Sequence, residues 1–294
     1  MTEFIMTIGL PASGKSTWAR SMQEKGYYWL SSDEIRKATN CTNTQIFAAM
    51  NETAKRLLSE GTNVIYDATN LWRRYRMHTL NQLKGLVPSV HFHAELFLAP
   101  YDTLLIRNSN RLAEARVPYD VMDKFMRVFQ LPQSFEGWDE ININKDSIGE
   151  WFNYDKCVGF EQLNPHHELT LSQHMNKAYD IAKEKNFDAK VKVAAIFHDI
   201  GKVLTQTIDK DGVAHYYGHE NVGAYLFVLD LIHSGILEVF DSTYSDYADI
   251  IFLINYHMRP YQWTEKAYKK DLKLFGERRI KMLKQLHYCD EAAH

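Results

Sequence analysis

The chain has 294 residues, a length that two domains would fill. Hydrophobic residues make up 45% and charged residues 24%, a globular balance that excludes disordered and fibrous classes. With 34 Lys+Arg against 37 Asp+Glu the net charge is −3, so binding to nucleic acid through a global basic field is excluded and only a local patch remains. Cys41, Cys157 and Cys289 are too few and too scattered for a secreted disulfide framework. No apolar run approaches the ~18 residues of a membrane span. The expectation is a soluble cytoplasmic protein with no membrane partner.

In chain order, an apolar run over 4–8 predicts a strand, followed by a Gly-rich turn and a helix over 16–23. A second strand-like stretch over 27–30 leads into Ser31-Ser32-Asp33-Glu34-Ile35-Arg36, where Ser32 reads as the helix N-cap, with Asp33 just inside and Arg36 one turn on. Helices over 44–60 and 73–84 alternate with strands over 63–66 and 90–98, and helices over 102–110 and 118–129 follow. This alternation predicts an α/β domain, a parallel sheet with helices on both faces, over 1–148. Beyond a boundary at 138–160, marked by Asn142, Asn144 and Gly149, helical periodicity takes over and predicts an all-α domain over 149–294.

Gly9-Leu10-Pro11-Ala12-Ser13-Gly14-Lys15-Ser16 fits G-x-x-x-x-G-K-[ST], with a strand before it and a helix after. Backbone N–H groups in such a loop cradle phosphate oxygens, Lys15 reaches the β/γ-phosphates and the Ser16 hydroxyl ligates Mg²⁺. Gly9, Ala12, Ser13, Gly14, Lys15, Ser16 and Thr17 form the expected binding set for ATP or another NTP with Mg²⁺. Asp33 can accept the proton of an acceptor hydroxyl, and Arg36 can hold a phosphate on that acceptor. Asp67, at the end of a strand, can meet Mg²⁺ through water, orient the acceptor, or cap a helix. Arg73, Arg74 and Arg76 form either a phosphate-binding patch or a solvated helix face, and the lysine-rich 266–284 stretch is a second basic candidate.

The run from Ile8 to Arg20, with Arg107-Asn108-Ser109-Asn110-Arg111 and Val117-Pro118, resembles the kinase domain of phage-type 5′-hydroxyl polynucleotide kinases over about residues 1–140. The resemblance implies that Lys15, Ser16, Asp33 as base, Arg36 and a lid arginine, Arg111, carry the reaction. Asp67 stands one position away from the family's acidic residue.

In the second half His174, His198, Asp199, His219, His257 and Asp290 stand out, and His174, His219, His257 and Asp290 each share a helical face with apolar residues. Several such faces converging in one helical domain would bury too many polar groups, unless they share a metal cluster. Adjacent His198 and Asp199 point about 100° apart, so the carboxylate can bridge two ions. Gly201 is expected to end that helix and present Lys202, whose ammonium can hold a substrate phosphate.

The pieces His167…His174, His198-Asp199-Ile200-Gly201-Lys202, Gly218-His219-Glu220, Tyr256-His257 and Cys289-Asp290 resemble the HD superfamily of metal-dependent phosphohydrolases, especially the HD domains attached to CCA-adding tRNA nucleotidyltransferases. The resemblance implies one ion on His174, His198, Asp199 and Asp290, and a second on Asp199, His219 and His257. Mixed His/Asp ligation suits one or two divalent transition metals, Mn²⁺, Fe²⁺, Ni²⁺ or Co²⁺.

Together these features predict an enzyme that heals RNA or DNA ends, cleaved tRNA among them: NTP-dependent phosphorylation of a 5′-OH, plus removal of a 3′-, 2′- or 2′,3′-cyclic phosphate, ahead of a separate nucleic-acid ligase. If phage-encoded, it would work in the cytoplasm of a bacterial host. A small-molecule or nucleoside kinase fused to a nucleotide phosphohydrolase, and a non-enzymatic nucleotide-gated binding module, are the alternatives.

Overall fold

The computed structural model describes residues 2–85, 89–144, 147–164 and 168–294, and His167 lies outside them. The chain divides into two compact units, Met1–Phe125 with Pro132–Gly149, and Met126–Leu131 with Glu150–His294.

In the first unit the strands are β1 (Thr2–Ile8), β2 (Tyr28–Ser31), β3 (Val64–Asp67), β4 (Val90–Leu96) and β5 (Glu140–Ile143). They pair in parallel in the order β2-β3-β1-β4-β5. A parallel sheet needs cover on both faces, and its side chains sort accordingly. On one face Ile5 and Ile65 pack with Ala19 and Met22 of α1 (Lys15–Gln23), joined by Trp18, Tyr27 and Trp29. On the other, the Phe4 ring lies 5.6 Å from Tyr66 and 5.5 Å from Phe92. There the Tyr66 hydroxyl donates to Asn51 Oδ1 of α3 (Asn43–Ser59) at 2.8 Å, and Asn51 Nδ2 donates to Gln82 Oε1 of α4 (Arg73–Lys84) at 2.6 Å. The expected sheet with helices on both faces is therefore present. The shorter helices of this half are α2 (Ser32–Ala38), α5 (Tyr101–Ser109) and α6 (Tyr119–Val128).

Two local expectations shift. The N-cap of α2 is Ser31, not Ser32: Ser31 is extended and its side chain accepts from the Glu34 N–H at 3.3 Å, while Ser32 is already helical. Residues 140–143, within the expected boundary region, form the edge strand β5, with Ile141 buried opposite Ala94.

The three arginines of the expected patch also part company. Arg76 is 1% exposed, with Nη2 and Nε donating to the Glu136 carboxylate at 2.5 and 2.7 Å and Nη1 donating to the Asn70 and Leu71 carbonyls at 2.9 and 3.1 Å. It fastens α4 to the segment before β5 and is not available to a polyanion. Removing one partner of a buried, hydrogen-bonded pair strands the other charge. Arg76→Ala should therefore cost about 3–5 kcal/mol of stability in denaturant unfolding, whereas Arg74→Ala on the exposed face should cost under about 0.5 kcal/mol.

The second unit is built from α7 (Leu171–Glu184), α8 (Ala189–Phe197), α9 (Lys202–Thr205), α10 (His219–His233), α11 (Ile236–Val239), α12 (Tyr244–Tyr256), α13 (Glu265–Phe275) and α14 (Glu277–Ala292). A capping box between Thr170 and Gln173 starts α7. The expected helical domain is interrupted only by a hairpin of two-residue strands, β6 (Thr207–Ile208) and β7 (Ala214–His215), among the described residues. Helices α7, α8, α12 and α14 pack on one another, and α10 packs on α9 and α12. Residues 126–131 brace the start of α10. Arg127 Nη1 donates to the Thr205 and Tyr217 carbonyls at 2.9 and 3.2 Å, and Asn221 Nδ2 donates to the Arg127 carbonyl at 2.8 Å. Gly218 precedes α10 at φ +81°, and a Cβ there would lie 2.5 Å from that same carbonyl oxygen, so both conformation and space demand glycine.

Candidate active sites

The phosphate loop follows β1, at the carboxyl edge of the sheet where open α/β folds bind ligands. Gly9 N–H donates to the Thr69 carbonyl at 3.1 Å, and a Cβ on Gly9 would lie 2.6 Å from the Phe97 carbonyl oxygen. Ala12 (φ +65°) and Gly14 (φ +100°) turn the chain, and α1 opens at Lys15 with Ser16 and Thr17 in its first turn, aiming its unsatisfied N–H groups back over the loop. Lys15 is buried, and its ammonium donates to the Leu10 carbonyl at 2.6 Å and to Ser13 Oγ at 3.3 Å. Burial lowers Lys15 to about 8 against the opposing pull of the Asp67 and Asp33 carboxylates, and Arg111 pushes the same way as burial. Asp33, Asp67 and Arg111 thus each act on the charge of Lys15.

Their settings differ. Asp67 is buried and accepts from Thr7 Oγ1 at 2.9 Å and Trp29 Nε1 at 3.0 Å. Asp33 is exposed and pairs with Arg36 at 2.5 Å, and Arg36 also donates to Asn43 Oδ1 at 3.1 Å. Arg111 is half-buried just beyond α5.

In the second unit His174, His198, Asp199, His219, His257 and Asp290 come together, none more than 6% exposed. His174 lies in α7, His198 and His257 just past the last residues of α8 and α12, His219 at the first residue of α10, and Asp290 in α14. Asp199 divides its oxygens between two groups. Oδ2 lies 3.5 Å from Nε2 of both His174 and His198, which are 3.3 Å apart, and Asp290 Oδ1 is 3.0 Å from His174 Nε2 and 3.5 Å from His198 Nε2. Oδ1 lies 3.1 Å from His219 Nε2 and 3.4 Å from His257 Nε2, themselves 3.0 Å apart.

This donor set fits divalent cations. Ligands about 2.1 Å from one ion are separated by about 3.0–3.4 Å, close to the 3.0–3.5 Å seen here. Nδ1 of His198, His219 and His257 lies 2.9, 2.8 and 2.8 Å from the carbonyls of Ala195, Tyr216 and Ile254, which fixes the proton on Nδ1 and leaves the Nε2 lone pair for a metal. The C-terminal ends of α8 and α12, the negative poles of their dipoles, also point at the cluster.

Lys202 Nζ is 2.7 Å from Asp199 Oδ2, donates to Gln162 Oε1 at 2.8 Å and stands over the Tyr216 ring. Gly201 does not end a helix in a left-handed turn, since α8 already stops at Phe197 and Gly201 has φ −65°. Its role is close approach: a Cβ there would lie 2.1 Å from the His219 carbonyl oxygen and 2.6 Å from the Gly223 nitrogen. The sequence reading misses Tyr261, whose hydroxyl donates to Asp290 Oδ2 at 3.0 Å, and nothing in its local pattern marks it.

Residues 4–132 match the AAA domain family and residues 170–292 match the HD domain family. The chain therefore joins an AAA-type P-loop domain to an HD domain. Among solved structures it is similar to one of the Pnkp1/Rnl/Hen1 RNA repair complex, at 22% identity over 42% of this chain and 42% of that one, with a TM-score of 0.38. A sugar kinase from Janibacter sp. is 17% identical over 49% of this chain and 86% of its own, with a TM-score of 0.38. A fungal RNA kinase is 15% identical over 50% and 77%, with a TM-score of 0.35. None of the three decides a substrate.

Among the described residues no helix is long and apolar enough to cross a membrane.

Burial opposes a proton on His198, but the Asp199 and Asp290 carboxylates outweigh it and raise this histidine to about 9. Asp199 stays ionised, held well below the usual carboxylate range by Lys202 and His198 against its burial. A cation binding through His198 Nε2 at pH 7 must then displace a proton. Calorimetric titration with Mn²⁺ in buffers of differing ionisation enthalpy should show release of about one proton, with affinity rising toward pH 9. Buffer-independent heats and a flat affinity between pH 6.5 and 9 would contradict this.

Proposed function

We propose that this chain heals broken nucleic-acid ends, RNA or tRNA in the first instance, with residues 1–148 and 149–294 as its two functional halves. The first half transfers the γ-phosphate of ATP or another NTP to a 5′-OH, and the second removes a 3′-, 2′- or 2′,3′-cyclic phosphate. The product suits a separate ligase. The observation that carries this reading is the pairing, in one chain, of a phosphate loop whose Lys15 sits among Asp33, Asp67 and Arg111 with a buried two-group metal cluster that includes Lys202. One site is equipped to donate a phosphoryl group and the other to remove one.

In the kinase half the loop amides and Lys15 hold the triphosphate, with Ser16 on Mg²⁺. The Asp33 carboxylate takes the proton of the attacking hydroxyl as the new O–P bond forms and the bond to the leaving diphosphate breaks. Arg36 orients Asp33 and the acceptor phosphate, and Arg111 balances charge on the transferring group.

In the HD half His174, His198, Asp199 and Asp290 would hold one divalent ion, and Asp199, His219 and His257 a second. Such ions supply Lewis acidity and an acidified water. Lys202 donates to a phosphate oxygen, and Tyr261 keeps Asp290 turned toward the histidines.

The test is an RNA oligonucleotide with a 5′-OH and a 2′,3′-cyclic phosphate, incubated with the protein, ATP, Mg²⁺ and Mn²⁺ or Ni²⁺, with both ends mapped by mass spectrometry. Lys15→Ala should slow phosphate gain at the 5′ end by about 10²–10³-fold and spare the 3′ reaction, and Asp199→Ala should do the reverse. An untouched oligonucleotide alongside consumed ATP or free nucleotide would replace this reading with a small-molecule kinase–phosphohydrolase.

A further inference from the structure

The lysine-rich 266–284 stretch is used by neither reaction, and the fold sorts its cations. Helices α13 and α14 are joined by Gly276 alone, at φ +81°, and fold back so that Lys284 Nζ donates to the Tyr268 hydroxyl at 3.1 Å. Beside them lies a groove of about 480 Å³. Phe187, Tyr268, Leu272, Ile280 and Tyr288 give it apolar and aromatic walls, and Lys281 and Lys284 bring positive charge to it. Glu277, the first residue of α14, is the acidic member of the lining. Arg278 and Arg279 are engaged elsewhere, on Asp249 at 2.6 and 3.1 Å, and Lys269 pairs with Glu265 at 2.5 Å.

We propose that this groove binds single-stranded nucleic acid, stacking a base on Tyr268 or Tyr288 and meeting the flanking phosphates with Lys281 and Lys284. The proposal takes its substrate class from the end-healing reading and adds a binding site apart from both reaction centres. Aromatic faces beside cations build sequence-tolerant single-strand sites, since every base has a π-face and every linkage a charge. Here Lys284 Nζ stands 4.4 Å from the Tyr268 ring centroid and Lys185 Nζ 5.6 Å from that of Tyr288, whose side of the groove is 46% exposed. Cation–π contacts at an exposed site are weak, so a phosphate can draw either ammonium off its ring and open that face to a base. Lys281 and Lys284 are exposed, and among the described residues neither is paired with a carboxylate. The volume falls within the ~300–1,000 Å³ of small-ligand sites, room for a base with its phosphates. Stacking needs a base released from its duplex, which selects single strands.

Position defines the role. Lys281, Lys284, Gln285 and Tyr288 fall at i, i+3, i+4 and i+7 and share one face of α14, whereas Leu283, Leu286 and Asp290 are buried. Tyr288 and Asp290, two residues apart, point about 200° from each other. One helix therefore presents Asp290 to the buried cluster and Tyr288 to the groove. A strand held there is anchored beside the cluster without occupying it, so the groove sets affinity for long substrates and not the rate of the chemical step.

The test uses the full chain and a labelled single-stranded RNA oligonucleotide that already carries a 5′-phosphate and a 3′-OH, so binding is read with neither reaction possible. In fluorescence anisotropy, Lys281→Gln with Lys284→Gln should weaken binding by about tenfold and flatten the dependence of log Kd on log salt by about 1.4, as expected for two lost phosphate contacts. Tyr288→Ala should weaken binding by about 5–20-fold with the salt slope unchanged. Lys281→Arg with Lys284→Arg should retain binding, which guards against loss of fold. Lys156→Gln with Lys210→Gln, exposed lysines of the same unit outside the groove, should change affinity by less than about twofold. No binding by the wild-type chain, unchanged affinity in the groove variants, an equal loss in the pair outside it, or equal competition by polyglutamate, an acidic chain without bases, would overturn the proposal. Because the probe's ends need no processing, absent turnover in the end-mapping assay would leave this result standing, and the reverse holds as well.

Discussion

A carboxylate with 3% exposure cannot remain ionised in a protein interior unless neighbouring groups offset its burial, and Asp199 is such a group. Its two oxygens face two pairs of histidines, and Lys202 closes one flank. The histidines come from α7, the ends of α8 and α12 and the start of α10, while α14 brings Asp290 to the same place. Satisfying one buried charge therefore fixes how five helices meet. Lys202 and a proton on His198 hold Asp199 ionised. A cation binding there competes with that proton.

The phosphate loop meets the opposite problem with local means. It must present backbone donors to an anion, so its shape comes from Gly9 pressed against the Phe97 carbonyl, from positive φ at Ala12 and Gly14, and from the helix that begins one residue later. Lys15 lies folded onto the Leu10 carbonyl and Ser13 hydroxyl. An incoming phosphate exchanges these neutral acceptors for charged ones, and little else in the domain has to move.

That contrast explains what can be read in the sequence. The loop is encoded by eight consecutive residues and an adjoining strand and helix, so pattern alone locates it. The clustered histidines and aspartates of the second unit are legible as polar residue types on apolar helix faces, yet the division of Asp199 between two groups is visible only once the helices are assembled. Arg73, Arg74 and Arg76 look alike in sequence. Only Glu136, sixty positions away, makes Arg76 a core residue, and no local rule reveals that partner. Tyr261 and the cap at Ser31 were missed for related reasons: one acts through a contact across the fold, the other by a shift of one residue between two adjacent serines.

The brace formed by residues 126–131 has a consequence for how such a chain can be recombined. The segment is encoded within the span of the first unit and structurally belongs to the second, where the main-chain oxygen of Arg127 receives Asn221 and presses against Gly218, one residue before His219. The two halves are therefore not contiguous cassettes. A crossover near residue 149 that imported a foreign N-terminal half would also replace the strut under His219, and because that strut is partly backbone, side-chain scanning at position 127 would understate the dependence. Exchange between such proteins should preserve the path of this segment more strictly than its sequence.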